Sequence, residues 1–291
     1  EHRATGRVIV LAASSGETVR LMLNSKSARF PQGLANSSGL VGKYLMDTVG
    51  ASLSGQIPAL ENLPPHNEDG AGGAHVYSPW WLYQEQLAGK LGFARGYHIE
   101  VAGGRRLPGM GTARGLEWLT GGSYGRKFKE DARRYYGSIM NFSGRGDMIP
   151  NEDSFCELDP TVKDKWGIPV LRFHWKWSEH EIRQAAHMQQ TFADIVAAMG
   201  GRLQQAPEKN GAKAIANGGV IIHEVGGAIM GTAPGKSVTN QWSQTWDVPN
   251  LFLVDGAPFC SNADKNPTLT IMAQAWRAAD HIVSELKQHN L

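Results

Sequence analysis

The chain has 291 residues, of which 41% are hydrophobic and 19% are charged, and its formal net charge is +2. This composition is typical of a folded globular protein and excludes an intrinsically disordered chain. The near-neutral charge and the lack of a concentrated basic segment argue against a nucleic-acid partner. No apolar run approaches the ~20 residues of a membrane-spanning helix, so we expect no transmembrane segment.

Two cysteines, Cys156 and Cys260, occur in the chain. They are too few for a disulfide framework or a cysteine-based metal site. They do not indicate whether the protein works in an oxidising or a reducing compartment. The opening residues, EHRATG, are polar and lack the apolar core of a signal peptide. We therefore predict no signal peptide in this stretch.

The first predicted element is a strand. RVIVLAA (residues 7–13) is a continuous apolar run, the pattern of a strand buried on both faces. Ser14 and Ser15 follow, before a helix-like stretch that runs through Leu23. A strand-to-helix connection this early, with no strand before it, favours a parallel sheet that the chain enters part-way through.

Residues 49–220 differ in character from both ends and predict an inserted substrate-binding domain. A Pro/Gly-rich loop within residues 60–83 ends in an aromatic cluster: Tyr77, Trp80, Trp81 and Tyr83. Alternation within residues 167–177 predicts a strand with one apolar face: Leu171, Phe173, Trp175 and Trp177. One broad, half-exposed antiparallel sheet fits this domain.

Two tempting motifs in the insertion do not meet the requirements of their chemistry. The glycines of GGRRLPGMGTARG (residues 103–115) depart by one residue from a dinucleotide fingerprint, and Pro108 separates them from the preceding strand. His180 and His187 lie two helical turns apart, and no H-E-x-x-H spacing occurs. We predict a loop for the glycines and expect no metal site.

The C-terminal region predicts a second strand and helix. NLFLVDGA (residues 250–257) is a short apolar run typical of a buried strand. A helix is predicted from Pro267 to about Gln288, and its apolar residues recur at spacings of three and four: Leu269, Met272, Ala275, Trp276, Ala279, Val283 and Leu286. The two ends of the chain are therefore expected to form one α/β unit that the insertion interrupts.

The segment GGVIIHEVGGAIMGT (residues 218–232) holds the strongest candidate for a catalytic side chain, His223. A histidine at the end of an apolar run is commonly a hydrogen-bonded structural residue. The glycines that follow, Gly226 and Gly227, would permit the close approach of a bulky ligand such as a ring system. From these residues alone, a structural and a catalytic role both stay open.

Asn266 and Pro267 stand at the start of the C-terminal helix. Asn is a good N-cap, and Pro is favoured at the first helical position. A helix N-terminus also attracts negative charge, because its first N–H groups have no partner within the helix. If a redox cofactor became anionic on reduction, we would expect it at this helix end.

Several of these segments resemble a known family. HEVGGAIMG, NLFLVDGAPF and NPTLTIMAQAWRAAD together resemble the C-terminal signature of the glucose–methanol–choline (GMC) flavoprotein oxidoreductases. VIVLAASSGETVRLMLNS resembles their second signature, and GLANSSGLVGKYLMD (residues 33–47) resembles their lead into the substrate domain. Ser14 stands where the second signature usually has Gly, and Val19 where it usually has Pro.

The resemblance covers the C-terminal half of a family member. The G-x-G-x-x-G that opens the family's FAD-binding domain has no counterpart in this sequence. A missing N-terminal half or a complementary chain is therefore an expected partner.

The resemblance implies a role for each matching residue. His223 would accept the proton of the substrate hydroxyl, while Asn266 binds the same oxygen and hydride leaves for FAD. Asp255 and Gly256 would contact the ribityl–pyrophosphate part of FAD. The other implied cofactor contacts are Ala13, Asn266, Pro267 and Thr268, of which the last two bring the helix N-terminus to the flavin.

The predicted fold class is α/β, with a partial FAD-binding Rossmann-like unit from both chain ends and an inserted α+β domain that contains an antiparallel sheet. The expected boundaries are 1–48 and 221–291 for the FAD-binding parts and 49–220 for the substrate domain. The implied activity is FAD-dependent oxidation of a CH–OH group in a sugar or sugar derivative, with a dehydrogenase favoured over an oxidase. The alternatives are a non-catalytic carbohydrate-binding or scaffold fragment and an enzyme for a non-sugar alcohol.

The expected partners are a small sugar or alcohol and an electron acceptor, which could be a quinone, a cytochrome or oxygen. The resemblance is greatest to the branch of the family that acts on sugars. In a bacterium the protein would work in the periplasm or the cytoplasm, and the sequence does not choose between them.

Overall fold

The computed structural model describes residues 2–64, 76–104 and 110–291. The strands are β1 (Ile9–Leu11), β2 (Val49–Gln56), β3 (Val76–Ser78), β4 (Tyr97–Ala102), β5 (Ile139–Gly146), β6 (Phe155–Lys163), β7 (Pro169–His174), β8 (Arg202–Leu203) and β9 (Leu251–Leu253). The α-helices are α1 (Ser15–Asn24), α2 (Tyr83–Leu87), α3 (Met110–Thr120), α4 (Gly125–Tyr135), α5 (Glu179–Ala198), α6 (Gly211–Ala214) and α7 (Thr268–Lys287). None of these helices is long and apolar enough to cross a membrane.

The chain divides into two compact units. The first unit comprises residues 1–48, 148–177 and 217–291, and the second comprises residues 49–147 and 178–216. The segment 148–177, which contains β6 and β7, thus groups with the two chain ends. The functional domain boundaries at 48/49 and 220/221 remain predictions.

In the first unit, the two ends of the chain meet as parallel strands. β1 pairs with β9 in the register Ile9 with Leu251 and Leu11 with Leu253. The expectation that β1 is buried on both faces is wrong, because Ile9 is 44% and Val10 49% exposed. Within the described part of the chain, β9 is the single strand that pairs with β1, so one edge and much of its surface have no cover.

Helix α1 follows β1 and supplies the core of the first unit. Its Val19 and Met22 are fully buried, together with Leu253 and Ala228. Burial of each large apolar side chain of this kind contributes roughly 1.5–3 kcal/mol to folding. The buried side of α1 therefore joins one hydrophobic cluster with Leu251 and Leu253 of β9.

Strands β6 and β7 form a separate antiparallel pair in the first unit. The strand predicted within residues 167–177 is β7. The prediction that it belongs to one broad sheet is therefore wrong, and it ends at His174 rather than continuing to residue 177. The pair is held to α1 by Arg20, whose guanidinium lies 2.7 Å from the Asp164 carboxylate and donates to the Pro169 carbonyl at 2.9 Å.

The second unit contains a five-stranded sheet in the order β3-β4-β5-β2-β8. Its strand pairs are antiparallel, which confirms the expected antiparallel sheet. Helix α5 packs across one face, where Phe192 stacks on Phe142 at 5.8 Å between ring centroids. Ser178 and Glu181 form a capping box at the start of α5 and satisfy N–H groups that the helix leaves unpaired.

Helix α7 is the predicted C-terminal helix, but its predicted apolar face points outwards. Leu269, Met272, Trp276 and Val283 are 78%, 63%, 74% and 50% exposed, and of the whole helix just Ala278 is fully buried. On the inner side, the ring of His281 lies 6.3 Å from that of Phe252 in β9. The spacing of the residues therefore identified the apolar stripe correctly but did not show what covers it.

Candidate functional site

His223 lies in the first unit, in an irregular segment held by residues distant in the sequence. Its main-chain N–H donates to Asp47 Oδ1 at 3.1 Å, and its carbonyl accepts from Asn262 Nδ2 at 3.3 Å. Its ring Nδ1 lies 3.1 Å from Thr48 Oγ1. The imidazole is half-buried, and its backbone and Nδ1 are both fixed, which is the arrangement of a ring held in one orientation.

Asp47 clamps the segment that carries His223. Its fully buried carboxylate accepts N–H bonds from Thr48 at 2.7 Å, His223 at 3.1 Å and Gly219 at 2.9 Å. Bonds to a charged acceptor are stronger than bonds between neutral groups. The sequence analysis did not identify Asp47 as a site residue. The one sign of its importance was its position as an isolated acidic residue between the apolar Met46 and strand β2.

The contact with Thr48 links the direction of one hydrogen bond to the imidazole nitrogen that carries the proton. When Nδ1–H of His223 donates to Thr48 Oγ1, the lone pair lies on Nε2; when the hydroxyl donates, the proton lies on Nε2. Thr48 is fully buried, so its hydroxyl stays at the ring. The arrangement can therefore hold an imidazole as a proton acceptor at Nε2.

Ala13 and Asp255, both predicted cofactor contacts, are brought together through Thr18. The Ala13 N–H donates to Thr18 Oγ1 at 3.3 Å, and that hydroxyl donates to Asp255 Oδ2 at 2.5 Å. The other carboxylate oxygen of Asp255 accepts the Ala257 N–H at 2.8 Å. The Asp255 side chain thus ties α1 to the end of β9, and its carboxylate is engaged within the protein.

Gly226 and Gly227 serve close packing of the chain, which corrects the idea that they make room for a ligand. Both are buried with positive φ, +86° and +90°. A Cβ at Gly226 would lie 2.2 Å from the Tyr44 carbonyl oxygen, and one at Gly227 would lie 2.8 Å from Val19. Gly256 packs similarly, since its Cβ would lie 3.0 Å from Val225.

The predicted residues at the start of α7 are open to the outside. Asn266 and Thr268 are exposed, Pro267 has helical dihedral angles, and the helix proper begins at Thr268. Among the described residues, no hydrogen bond joins Asn266 to His223. The first turn contains no acidic residue, so this 20-residue helix presents a positive end that suits an anionic group.

An open cavity of about 540 Å³ lies in the first unit beside the Asp47 clamp. Its walls include Leu171, Phe173 and Trp175 of the β7 segment, with Ser14 and Glu224 at polar positions. Burial raises the pKa of Glu224 above its ordinary value. The cavity combines an apolar wall with a few polar groups, as small-molecule sites do.

The second unit carries a polar face on the side of its sheet opposite α5. His98 and Arg145 are cross-strand partners, and Tyr77 is opposite Glu100. Glu100 Oε1 lies 3.3 Å from His98 Nε2, its Oε2 lies 3.6 Å from Arg145 Nη2, and Tyr77 stacks on His98 at 5.4 Å. His98 and Glu100 are buried, so these side chains are paired with one another within the unit.

The histidines and glycines that we set aside have ordinary surroundings. His187 lies 2.9 Å from the Tyr97 hydroxyl, and burial lowers the pKa of His187. His180 Nδ1 accepts the Ala94 N–H at 3.0 Å. Within the described residues, no group of three or more metal-ligating side chains occurs. The predicted loop is wrong for Gly111 and Gly115, which lie in helix α3. Pro108 and Gly109 lie outside the described residues.

Comparison with known proteins identifies the family. Residues 150–275 match the family model described as GMC oxidoreductase. The chain carries a GMC oxidoreductase domain. It is 35% identical over 283 residues to a 2-methyl-1,2-propanediol dehydrogenase of Mycolicibacterium austroafricanum, and 32% identical over 292 residues to the fructose dehydrogenase large subunit of Gluconobacter japonicus.

These alignments cover 97% and 99% of this chain but 48% and 49% of the two relatives. The chain therefore spans about half the length of the curated relatives it matches. Among solved structures, a formate oxidase of Aspergillus oryzae RIB40, from a study of FAD modification in that enzyme, matches with a TM-score of 0.61 and 13% identity. The match covers 97% of this chain and 55% of the formate oxidase, and it shows the fold alone.

Proposed function

We propose that this chain supplies the proton-accepting half of an FAD-dependent oxidoreductase that oxidises a CH–OH group of a sugar or sugar derivative. The observation that supports this most directly is the 3.1 Å contact between Thr48 Oγ1 and Nδ1 of His223, on a segment clamped by Asp47. The half of the relatives' length that the chain does not span would supply the rest of the FAD site.

His223 is the proposed general base. With Nδ1–H donating to Thr48, Nε2 takes the proton of the substrate hydroxyl. A neutral imidazole with its lone pair on Nε2 can accept a proton from a hydroxyl group. Asp47 and Thr48 act as positioning residues, because they hold the main chain and the ring of His223.

Asn266 and the first turn of α7 are proposed to lie across the reacting carbon from His223. Asn266 would donate to the substrate oxygen and orient it. FAD, when bound, supplies the hydride acceptor. The exposed helix N-terminus at Pro267 and Thr268 fits the charge that this chemistry develops, because it offers unpaired N–H groups and no acidic side chain.

Ala13, Asp255 and Gly256 are proposed to border the cofactor through their main chain. The carboxylate of Asp255 is engaged by Thr18 and Ala257, so it is not a proposed ligand. Its structural role is to hold the end of β9 and the start of α1 in one arrangement.

A sugar is favoured as substrate by the relationship to the fructose dehydrogenase large subunit. The relationship to a 2-methyl-1,2-propanediol dehydrogenase favours a simple diol as the second candidate. Both relatives are dehydrogenases, which supports an acceptor such as a quinone or cytochrome over oxygen.

The test uses the chain purified together with its nucleotide-binding half. We expect bound flavin that loses its visible absorption when a sugar is added without oxygen. His223→Gln should retain flavin but slow its reduction by roughly 10²–10⁴-fold, whereas His289→Gln, an exposed histidine in the same unit, should not change it. Unaltered reduction in His223→Gln would remove the residue from the base role, and a flavin-free complex would favour the scaffold alternative.

Thr48 provides a finer test of the same idea. Thr48→Val removes the hydroxyl but keeps the shape, so flavin reduction should slow and its pH profile should shift, because the imidazole loses its hydrogen-bond partner at Nδ1. Thr48→Ser restores the hydroxyl and should restore both quantities. A purely structural role for Thr48 would leave the pH profile of Thr48→Val like that of the unaltered protein.

A further inference from the structure

The main chain of His223 is held by two different parts of the chain. Its N–H donates to Asp47 Oδ1 at 3.1 Å, which ties it to the segment before β2. Its carbonyl accepts from Asn262 Nδ2 at 3.3 Å, which ties it to the loop between β9 and α7. That loop also carries Asn266. One side chain, Asn262, therefore joins the two segments that carry the candidate site residues.

The loop reaches the histidine by turning back on itself. The Gly226 N–H donates to the Gly256 carbonyl at 2.9 Å, and the Met230 N–H donates to the Pro258 carbonyl at 2.9 Å. These pairs lead away from the histidine, because the second pair lies further along both segments. The side chain of Asn262 then brings the loop back. The contact is therefore a separate attachment of the loop and not a continuation of the main-chain pairing.

Asn262 is a buried residue in an otherwise open stretch of the loop. Its exposed fraction is 2%, whereas Ser261, Ala263 and Asn266 are exposed. A buried side-chain amide needs hydrogen-bond partners within the protein, and the carbonyl of His223 is one of them. Water has little access to replace this bond, so the contact can hold the loop in place.

We propose that Asn262 is a positioning residue that sets the separation of His223 and Asn266. The inference rests on the proposed function, in which these two residues meet the same hydroxyl oxygen of the substrate. The chain from Asn262 to Asn266 spans at most about 14 Å, so anchoring Asn262 on the His223 carbonyl limits where Asn266 can lie. Asp47 and Thr48 hold His223 itself, whereas Asn262 holds the second residue relative to it.

Replacement of Asn262 by leucine removes the amide donor and keeps a side chain of similar size. Displacement of a reacting group by about 1 Å can slow a reaction about 100-fold. In the chain purified together with its nucleotide-binding half, we expect Asn262→Leu to lower the limiting rate of flavin reduction by sugar roughly 10- to 100-fold. The sugar concentration that gives half this rate should change less than about three-fold, because the lost bond acts on the geometry of the reaction and not on binding.

Asn24→Leu is the matched control. The Asn24 amide also joins two distant segments of the first unit, because it donates to the carbonyls of Arg20 at 3.0 Å and Pro169 at 3.4 Å. Asn24→Leu should lower the urea midpoint of unfolding without changing the limiting rate of flavin reduction. An equal loss of rate in both variants would make Asn262 a general stabilising residue and overturn the proposal.

A double substitution tests whether Asn262 acts through His223. Once His223→Gln has removed the base, the loss of its positioning residue should matter little. Adding Asn262→Leu should then slow flavin reduction by less than about three-fold. A further loss of roughly 10- to 100-fold would show that the two residues act independently and would overturn the proposal. If leucine prevents folding, Asn262→Ala takes its place in the same cycle, with the same expected outcomes.

Amide hydrogen exchange tests the attachment of the loop without catalysis. Asn262→Leu should accelerate exchange at least ten-fold in peptides that span residues 217–225 and 259–266, because each segment loses its contact with the other. Unchanged exchange would overturn the proposal whatever the rate of flavin reduction. Accelerated exchange, together with unaltered flavin reduction in His223→Gln, would contradict the proposed function and leave the attachment of the loop standing.

Discussion

Replacing Asp47 with asparagine tests whether the carboxylate is what holds the His223 segment. Asp47 Oδ1 accepts the Thr48 and His223 N–H groups, and Oδ2 accepts the Gly219 N–H. Asparagine keeps one acceptor oxygen and replaces the other with an NH₂ donor. In either orientation of the amide, at least one main-chain N–H then faces another donor.

The size of the effect follows from these bonds. A hydrogen bond to a charged group contributes about 1.5–3 kcal/mol, and a buried donor without a partner costs about 1–3 kcal/mol. Asp47 is fully buried, so water does not replace what is lost. We expect Asp47→Asn to destabilise the segment by about 3 kcal/mol, which corresponds to about a 100-fold increase in local opening.

The assay is amide hydrogen exchange followed by mass spectrometry on peptides that span residues 217–225. Exchange at Gly219 and His223 should accelerate about 100-fold in Asp47→Asn. Asp159→Asn is the control, because Asp159 Oδ1 also accepts two main-chain N–H bonds, from Thr161 and Val162, but at an exposed irregularity within β6. Its retained oxygen can make the same bonds, so little change is expected. Equal behaviour of the two variants would refute the clamp.

Three further outcomes follow from packing, burial and capping. Gly226→Ala should lower the free energy of unfolding in urea by roughly 3 kcal/mol, because the added Cβ would lie 2.2 Å from a carbonyl oxygen and the residue has a positive φ. Gly235→Ala should leave the free energy of unfolding unchanged, because Gly235 has open space around it. Equal effects of the two substitutions would contradict this packing. One thiol, that of the exposed Cys260, should react quickly with Ellman's reagent at pH 8. Burial raises the pKa of Cys156 to about 12 and keeps it a neutral thiol, so it should react slowly. Two rapidly reacting thiols would show that Cys156 is accessible. Ser178→Ala should cost about 1 kcal/mol through loss of the α5 capping box, and an unchanged urea midpoint would mean that the cap contributes nothing.

Local patterns predicted most of the elements that position the site. Apolar runs located β1 and β9, and three- and four-residue spacing located α7. The same patterns placed His223 and Asn266 as candidates, and their catalytic roles remain predictions. The patterns were wrong about cover: β1 and the α7 stripe are exposed, because periodicity shows which residues are apolar but not whether another polypeptide lies over them.

The surroundings of the candidate site depended on contacts between residues far apart in the chain. Thr18 and Asp255 are 237 positions apart, and Thr48 and His223 are 175 apart. Neither pair has a local signature, because a single Thr or Asp hydrogen-bonds in many settings and the chain must fold before its partner is known. Gly226 shows the same limit, since its lack of a side chain suited a ligand or a neighbouring backbone equally well.

The amino-acid sequence by itself determined the class of the protein. Short motifs at both ends were enough for the GMC resemblance, and composition was enough to predict a folded chain. Tertiary structure alone decided that Asp47 and Thr48 hold His223, that the paired glycines serve packing, and that the outer side of α7 is uncovered. The physical reason is that motifs and periodicity are local properties of the chain, whereas a buried carboxylate, a hydrogen-bonded imidazole and an exposed apolar face are defined by what the fold brings next to them.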